Sequence, residues 1–338
     1  MEKYSQYRDR GSGIAPFFPV PTQPSGALLP FNIFLFAIRI PILLTFSIVY
    51  FVVFSWLPIG SLIKKASLWL ILGTPGIWWI DLQIDGVKKG SLSKYTKTRL
   101  PGPNTIIAAS HTSPLDALYL AAIFDPIFTA SYPSTRLVQP LSLFHAIIHA
   151  LQAPSPTPPR NTPLVPLSTL LAQNPDRAIV VFPECTTTNG RAILPFSPSL
   201  LSSPGDVKIF PVSLRYTAPD ITTPVPGTWA RFLWNLCSRS THCIRVRIAE
   251  ATYNDTAAAE GRKGNGVLEK NLSGFNVIES GVVNGGVGGV GEDGLNAEER
   301  KVLDRIGEAL ARLGRVKRVA LGVKEKVEFV RVWTRRRR

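Results

Sequence analysis

Four histidines, three cysteines and one methionine are all that 338 residues hold of the side chains that most often build metal centres, disulfides and redox sites. Cys185, Cys237 and Cys243 are odd in number and lack CxxC spacing, which excludes a disulfide framework and a cysteine-based zinc site. The catalytic part is therefore expected in a reducing compartment. His145 and His149 have i, i+4 spacing, but no acidic third ligand stands beside them, so helix packing accounts for the pair better than a metal does. No GxSxG marks a serine hydrolase, no P-loop is present, and no GxGxxG lies between a strand and a helix. Charge is scarce as well, at 18% of residues against roughly 25% in soluble domains. With 45% apolar residues and a mean hydropathy of +0.13, disorder is excluded and the apolar excess must sit where water is absent. Acids are the scarcer sign, 23 against 38 bases, and the net +15 calls for anionic partners: nucleic acid, a phosphate-bearing substrate or an acidic bilayer.

The excess charge and the excess hydrophobicity occupy different ends of the chain. Residues 1–30 carry Lys3, Arg8 and Arg10 among Gly, Ser and Pro, lack the regions of a signal peptide, and read as a mobile leader. Residues 31–80 read as a membrane anchor. Within it, residues 40–57 are uncharged and long enough for one crossing at about 1.5 Å per residue. Residues 66–80, interrupted by Gly73, Pro75 and Gly76 and ending in Trp78 and Trp79, suit an interfacial or re-entrant segment. Lys88, Lys89, Lys94, Lys97 and Arg99 then form a basic run fit for a solvated loop or an anionic surface. Residues 81–280 form the main domain, an α/β arrangement in which residues 105–109, 177–182, 207–216 and 243–249 are strands and residues 115–124 a helix. The proline-dense residues 153–166 can be neither helix nor central strand. Residues 281–295 are a glycine-rich linker. Residues 296–338 are a basic helical segment, opened by an Asn296/Glu299 capping box and continued by Val302, Ile306, Leu310 and Leu313. The last 38 residues hold +9 of the total charge with only Phe329 and Trp333 as aromatics, which reads as a membrane-surface grip and not as a nucleic-acid module.

Two segments can carry chemistry. In AASHTSPLD a strand ends at Ala109, and Ser113, Pro114 and Asp116 have the types of an N-cap, N1 and N3. A helix cap explains Ser113 and Asp116 without catalysis; it does not explain His111, which lies just beyond the C-terminal end of a strand, where α/β sheets open their crevices. A turn that brings His111 to Asp116 would make a general base with an orienting carboxylate. In IVVFPECTTTNGR a second strand runs into Glu184, Thr186, Thr187, Thr188, Asn189, Gly190 and Arg191. That cluster is either an ordinary polar turn or a site for a polyol or phosphate, with Arg191 suited to forked phosphate contacts.

Taken together, the segments resemble a known family. The His111–Asp116 pair with four residues between resembles the HxxxxD motif of the glycerolipid acyltransferases, and Phe182, Pro183 and Glu184 with the threonines resemble their FPEGT block. Ile209, Phe210 and Pro211 are similar to the family's hydrophobic-Pro block, and TTTNGR and the C-terminal VKEKVEFVRVW resemble the lysophosphatidic acid and lysophospholipid acyltransferase branch, fungal members included. The resemblance implies an acyltransferase-type α/β sheet flanked by helices behind the N-terminal anchor. It implies transfer of an acyl chain from acyl-CoA, a co-substrate and not a cofactor, to a lysophospholipid in the bilayer: lysophosphatidic acid first, lysophosphatidylcholine or another headgroup second. A non-catalytic lipid-binding or tethering protein is the alternative class. The resemblance makes His111 the base, Asp116 its partner, and Glu184, Thr186, Thr187, Asn189, Gly190 and Arg191 the acceptor site, with no metal and no nucleic acid. It places the enzyme at the endoplasmic reticulum membrane with its catalytic domain cytosolic, or at the lipid-droplet surface. The chain departs from the family where Cys185 replaces the glycine after Glu184 and Thr187 stands where many members have a phosphate-binding arginine, which leaves Arg191 or Arg136 for that task.

Overall fold

A computed structural model describes residues 2–22, 24, 26–57, 60–87, 99–256 and 295–335. After the N-terminal segment come helix α1 (Leu29–Ile48), which continues helically through Phe54, and α2 (Ser61–Gly73). The chain then runs through β1 (Ile77–Ile84), β2 (Ile106–Ala109), α3 (Pro114–Phe124), β3 (Ile127–Ser131), β4 (Val138–Leu141), α4 (Leu143–His149), α5 (Leu167–Gln173) and β5 (Ile179–Val181). It closes with β6 (Ala192–Ile193), β7 (Ile209–Thr217), α6 (Trp229–Cys237), β8 (His242–Ile248), α7 (Ala297–Gly314), β9 (Lys317–Arg318) and α8 (Val323–Arg335).

Seven strands make one sheet in the order β1-β8-β7-β2-β5-β3-β4. Its centre, β7, β2, β5 and β3, is parallel; β8 runs antiparallel to β7, and β4 to β3. Strand alternation sorts the apolar residues onto two faces. Ile107, Ala109, Val180, Phe210 and Val212 pack under α2, α3 and α6, whereas Ile106, Ala108, Ile179, Val181 and Ile209 pack under α5 and α7. Both faces are covered, so the central strands read as continuous apolar runs, and the strands expected at residues 105–109, 177–182, 207–216 and 243–249 are found with ends shifted by a residue or two. Helix α7 begins at the Asn296/Glu299 capping box and buries Val302, Ile306, Leu310 and Leu313. Residues 153–164 form neither helix nor strand.

Several expectations are corrected. The leader is not mobile over its described length. Tyr4, Tyr7 and Phe17 are buried with Phe329 of α8, because aromatic surface removed from water outweighs the loosening influence of the surrounding Gly and Ser. Residues 77–80 are not a re-entrant segment but the start of β1, an edge strand parallel to β8, so the α/β domain begins before residue 81. The register shifts between Ile77 and Trp79, and this bulge leaves consecutive Trp78 and Trp79 exposed at 68% and 70%. The helix from Gly26 to Phe54 is long and apolar enough to cross a membrane, by length and composition. Phe36, Ile40, Leu43, Phe46 and Tyr50 pack its inner stripe on the core, while Phe31, Phe34, Ile38, Leu44 and Val52 face outward. Arg39 fixes it by donating to the carbonyls of Pro75, Cys237, Arg239 and Ser240. In the basic C-terminal segment, Arg305, Arg312 and Arg318 pair with Asp255, Asp85 and Asp304. Of the expected basic run, Lys88, Lys89, Lys94 and Lys97 lie outside the described residues, as does the glycine-rich linker up to residue 294.

Candidate functional site

Four central parallel strands end on one side of the sheet, and the two chemistry-bearing loops leave from neighbours there. Strand β2 leads to His111, and β5, hydrogen-bonded beside it, leads to Glu184. The loops are laced together: the His111 N–H donates to Glu184 Oε1 at 3.3 Å, and Thr188 N–H donates to the His111 carbonyl at 2.9 Å. Glu184 Oε2 accepts from Leu194 N–H at 3.1 Å. Burial pushes the Glu184 carboxyl up to about 8, against these two backbone bonds, which favour its charged form.

The His111 imidazole is 2% exposed and stacks on Phe182 at 4.3 Å between centroids. Its Nδ1 has no hydrogen-bond partner. Burial, the neighbouring His149 and the charge of Lys326 hold its pKa well below the ordinary histidine value, so the ring is neutral. His149, at the end of α4, lies parallel to it at 6.3 Å, whereas His145 points to Ser142 Oγ at 2.7 Å; the i, i+4 pair does not converge.

Asp116 sits in the same turn but is not bonded to the imidazole. Oδ2 accepts from Thr112 N and Ser113 N at 2.6 and 2.9 Å, and Oδ1 accepts from the Tyr216 hydroxyl at 2.5 Å. The expected histidine–aspartate contact is thus replaced by a capping box plus a cross-sheet bond, because N3 of α3 places the carboxylate against the orphan amides of that helix. Burial raises its pKa to about 6.

The acceptor-site candidates divide. Glu184, Thr186, Thr187, Thr188 and Asn189 are buried in one cluster. Cys185 holds the left-handed φ of +58° that a glycine would take more freely, at a cost of about 1–2 kcal/mol. Gly190, φ +70°, makes the next reversal. The Asn189 side-chain amide donates to the carbonyls of Ala15 and Phe18 at 2.8 and 2.9 Å, closing the N-terminal segment over the loop. Arg191 is exposed, outside this cluster. Arg136 is engaged by Glu299 in two bonds of 2.7 and 3.2 Å.

One residue in the cluster has no counterpart among the expected ones. Lys326, on α8, is 1% exposed and reaches the loop from the far end of the chain. Its Nζ donates to Thr186 Oγ1 at 2.8 Å and to the carbonyl and hydroxyl of Thr187 at 2.5 and 3.2 Å. Burial lowers its pKa to about 7, and Glu184 partly offsets this. The signal for it was present in the sequence: Val323, Lys326 and Phe329 share one face of α8, so a lysine stands in an otherwise apolar stripe.

The arrangement therefore offers a neutral imidazole, a carboxyl group, three threonine hydroxyls and one ammonium at the carboxyl end of a parallel sheet. Residues 91–215 match the family described as Acyltransferase. The chain is 29% identical over 237 residues to a putative lysophosphatidic acid:oleoyl-CoA acyltransferase of Schizosaccharomyces pombe, covering 67% of this chain and 77% of that one. It is 27% identical over 198 residues to lysophosphatidic acid:oleoyl-CoA acyltransferase 1 of Saccharomyces cerevisiae, covering 58% of this chain and 61% of that one. Among solved structures it is similar to PlsC, the 1-acyl-sn-glycerophosphate acyltransferase of Thermotoga maritima, with a TM-score of 0.34 and 13% identity, over 74% of this chain and 98% of that one.

Proposed function

We propose that this chain is a glycerolipid acyltransferase, moving a fatty acyl chain from coenzyme A to the free hydroxyl of a lysophospholipid; the match of residues 91–215 to the Acyltransferase family and the two yeast relatives support the reading. The acceptor is 1-acylglycerol 3-phosphate and the product phosphatidic acid; the names of the two yeast relatives support this choice. The observation that carries the reading is the His111 ring, neutral, buried, stacked on Phe182 and untied at Nδ1 beside a loop of hydroxyls.

The acceptor oxygen attacks the thioester carbonyl, and as the C–O bond forms its proton passes to the His111 imidazole. The tetrahedral intermediate collapses, the C–S bond breaks, and the departing thiolate takes that proton back. The products are the diacyl ester and free coenzyme A, with His111 neutral again. No enzyme thiolate is needed, and Cys185 does not supply one, since burial pushes its thiol up to about 12. Asp116 is a positioning residue: through Thr112, Ser113 and Tyr216 it holds the turn that presents His111. Glu184 joins that turn to the acceptor loop.

Each CH₂ of the acceptor chain gains ~0.8 kcal/mol in a bilayer, so the enzyme must work at the membrane. The outward stripe of α1 and the exposed Trp78, Trp79 and Trp229 give it an apolar face for that purpose. Because the inner stripe of α1 runs from Phe36 to Tyr50 along the domain, the helix enters the bilayer alongside the domain instead of crossing alone. The domain faces the cytosol at the endoplasmic reticulum membrane, where acyl-CoA reaches it. The test is an assay of the membrane-bound full chain with labelled oleoyl-CoA and a panel of lysophospholipids. The proposal expects fastest incorporation into lysophosphatidic acid; preference for lysophosphatidylcholine would reassign the headgroup, and no incorporation into any acceptor would end the reading.

A further inference from the structure

Lys326 is a buried ammonium that touches no carboxylate among the described residues; Glu184, buried nearby, acts on it only through space. Its hydrogens are satisfied by neutral oxygens of Thr186 and Thr187, and among the described residues no carboxylate forms an ion pair with it. Both Glu184 oxygens are directed to backbone N–H groups, of His111 and Leu194. Neutral partners fill a lysine's donors but leave its charge only partly compensated, by Glu184 at a distance, in a medium of low dielectric, which is costly unless an anion is to arrive. Another buried group at the site has no hydrogen-bond partner, Nδ1 of His111. The two arginines expected to receive an anionic head are placed otherwise: Arg136 is held by Glu299, and Arg191 is exposed.

We propose that Lys326, delivered by the C-terminal helix, is the cation that holds the phosphate of the acceptor, serving the loop at Thr187 in place of an arginine carried by the loop itself. This rests on the acyltransferase reading above. The fold delivers the lysine by a fixed route. Strand β9 pairs in parallel with β6, the strand that ends the acceptor loop, and Val319 N–H donates to the Ile193 carbonyl at 3.1 Å. Helix α8 then returns over the loop, held by Val323 and Phe329 on the same buried face. When the headgroup enters, a phosphate oxygen replaces the most distant of the three oxygens, Thr187 Oγ1 at 3.2 Å, whose own hydrogen stays with the Thr223 carbonyl. The acceptor's charge is then recognised by a residue 139 positions away from the loop it serves.

The test compares wild type with Lys326→Met and Lys326→Arg as full-length protein in phosphatidylcholine vesicles, with oleoyl-CoA and 1-oleoylglycerol 3-phosphate. Methionine keeps the apolar stem and loses the charge. Its expected effect is a rise in KM for the lysophosphatidate of about 10- to 100-fold, the range of a lost charged hydrogen bond, with KM for oleoyl-CoA within about threefold; arginine retains most of the affinity. Equal KM for the lysophosphatidate in wild type and Lys326→Met, or an equal fall in kcat for both variants with both KM values unchanged, overturns the proposal and leaves a packing role. If Lys326→Met does not fold, wild type and Lys326→Arg decide through inhibition by glycerol 3-phosphate, the head without its chain. Inhibition of both proteins competitive with the acceptor, with free glycerol inert, agrees with the proposal, and equal effects of glycerol 3-phosphate and glycerol refute it. Failure of the underlying reading looks different, since wild type itself then acylates no lysophospholipid.

Discussion

In the proposed reaction His111 is the base, and its surroundings keep it unprotonated. Burial removes the water that would stabilise an imidazolium, and the positive charge of Lys326 adds to that penalty. The sign follows directly: a histidine whose pKa lies below 6.5 stays in its base form as the solution is acidified through that value. The acid limb of kcat/KM should therefore fall well below pH 6.5, and a limb at or above 6.5 would show that another group sets it. Glu184 makes a prediction of a different kind. Both its oxygens accept from backbone N–H groups, and a glutamine offers one acceptor and one NH₂. Glu184→Gln should lower stability by about 1–3 kcal/mol through one unsatisfied buried group, read as a lower melting temperature; an unchanged melting temperature would mean that the two loops do not depend on this link. Much of this site was legible from residue types alone: His111 after a strand, Ser113 and Asp116 as a cap, and Glu184 leading a polar loop. The partner of Asp116 was not, because spacing brings it to the correct turn but cannot show that Tyr216, a hundred residues away, takes the remaining oxygen.

Elements were legible where their periodicity is local. Strands β2, β5, β7 and β8 and helices α3 and α7 carry their own patterns and caps, so sequence and structure agree on them to within a residue or two. Where an element is defined by a distant partner, local pattern misleads. Strand β1 is as apolar and tryptophan-rich as a membrane segment, and only pairing with β8 makes it a strand. The N-terminal segment has the composition of a tail, yet it is held by Phe329, by Asn189 and by a bond from Ala320 N–H to Asp9, 311 residues apart. Phe329, fully buried among Tyr4, Tyr7, Phe17 and Phe18, joins the two chain ends. Phe329→Ala should cost about 3–5 kcal/mol of local packing and release the N-terminal segment and α8 together. Hydrogen exchange on the intact protein would show both losing protection; loss in α8 alone would disconnect the two.

At the scale of the whole molecule, the +15 charge and the apolar excess separate into distinct uses. Much of the excess hydrophobicity remains exposed, on α1, on α2 and at Trp78, Trp79 and Trp229. Indole rings favour the headgroup region and bury large areas at ~25 cal/mol per Å². Trp78→Ser with Trp79→Ser should weaken association of the protein with phosphatidylcholine vesicles by about tenfold or more, without altering the sheet, as both side chains point away from it; vesicle flotation at wild-type level would place the membrane face elsewhere. Part of the C-terminal charge is engaged within the chain, in exposed ion pairs and, buried, at Lys326.

The central claim, that His111 is the base of an acyl transfer, is tested most directly by the initial rate of coenzyme A release from oleoyl-CoA with lysophosphatidic acid, comparing wild type with His111→Ala at equal folded concentration. The account predicts a fall in kcat of about 10²–10⁴-fold, the contribution of general base catalysis, with the melting temperature little changed. Release at the wild-type rate by His111→Ala would contradict it.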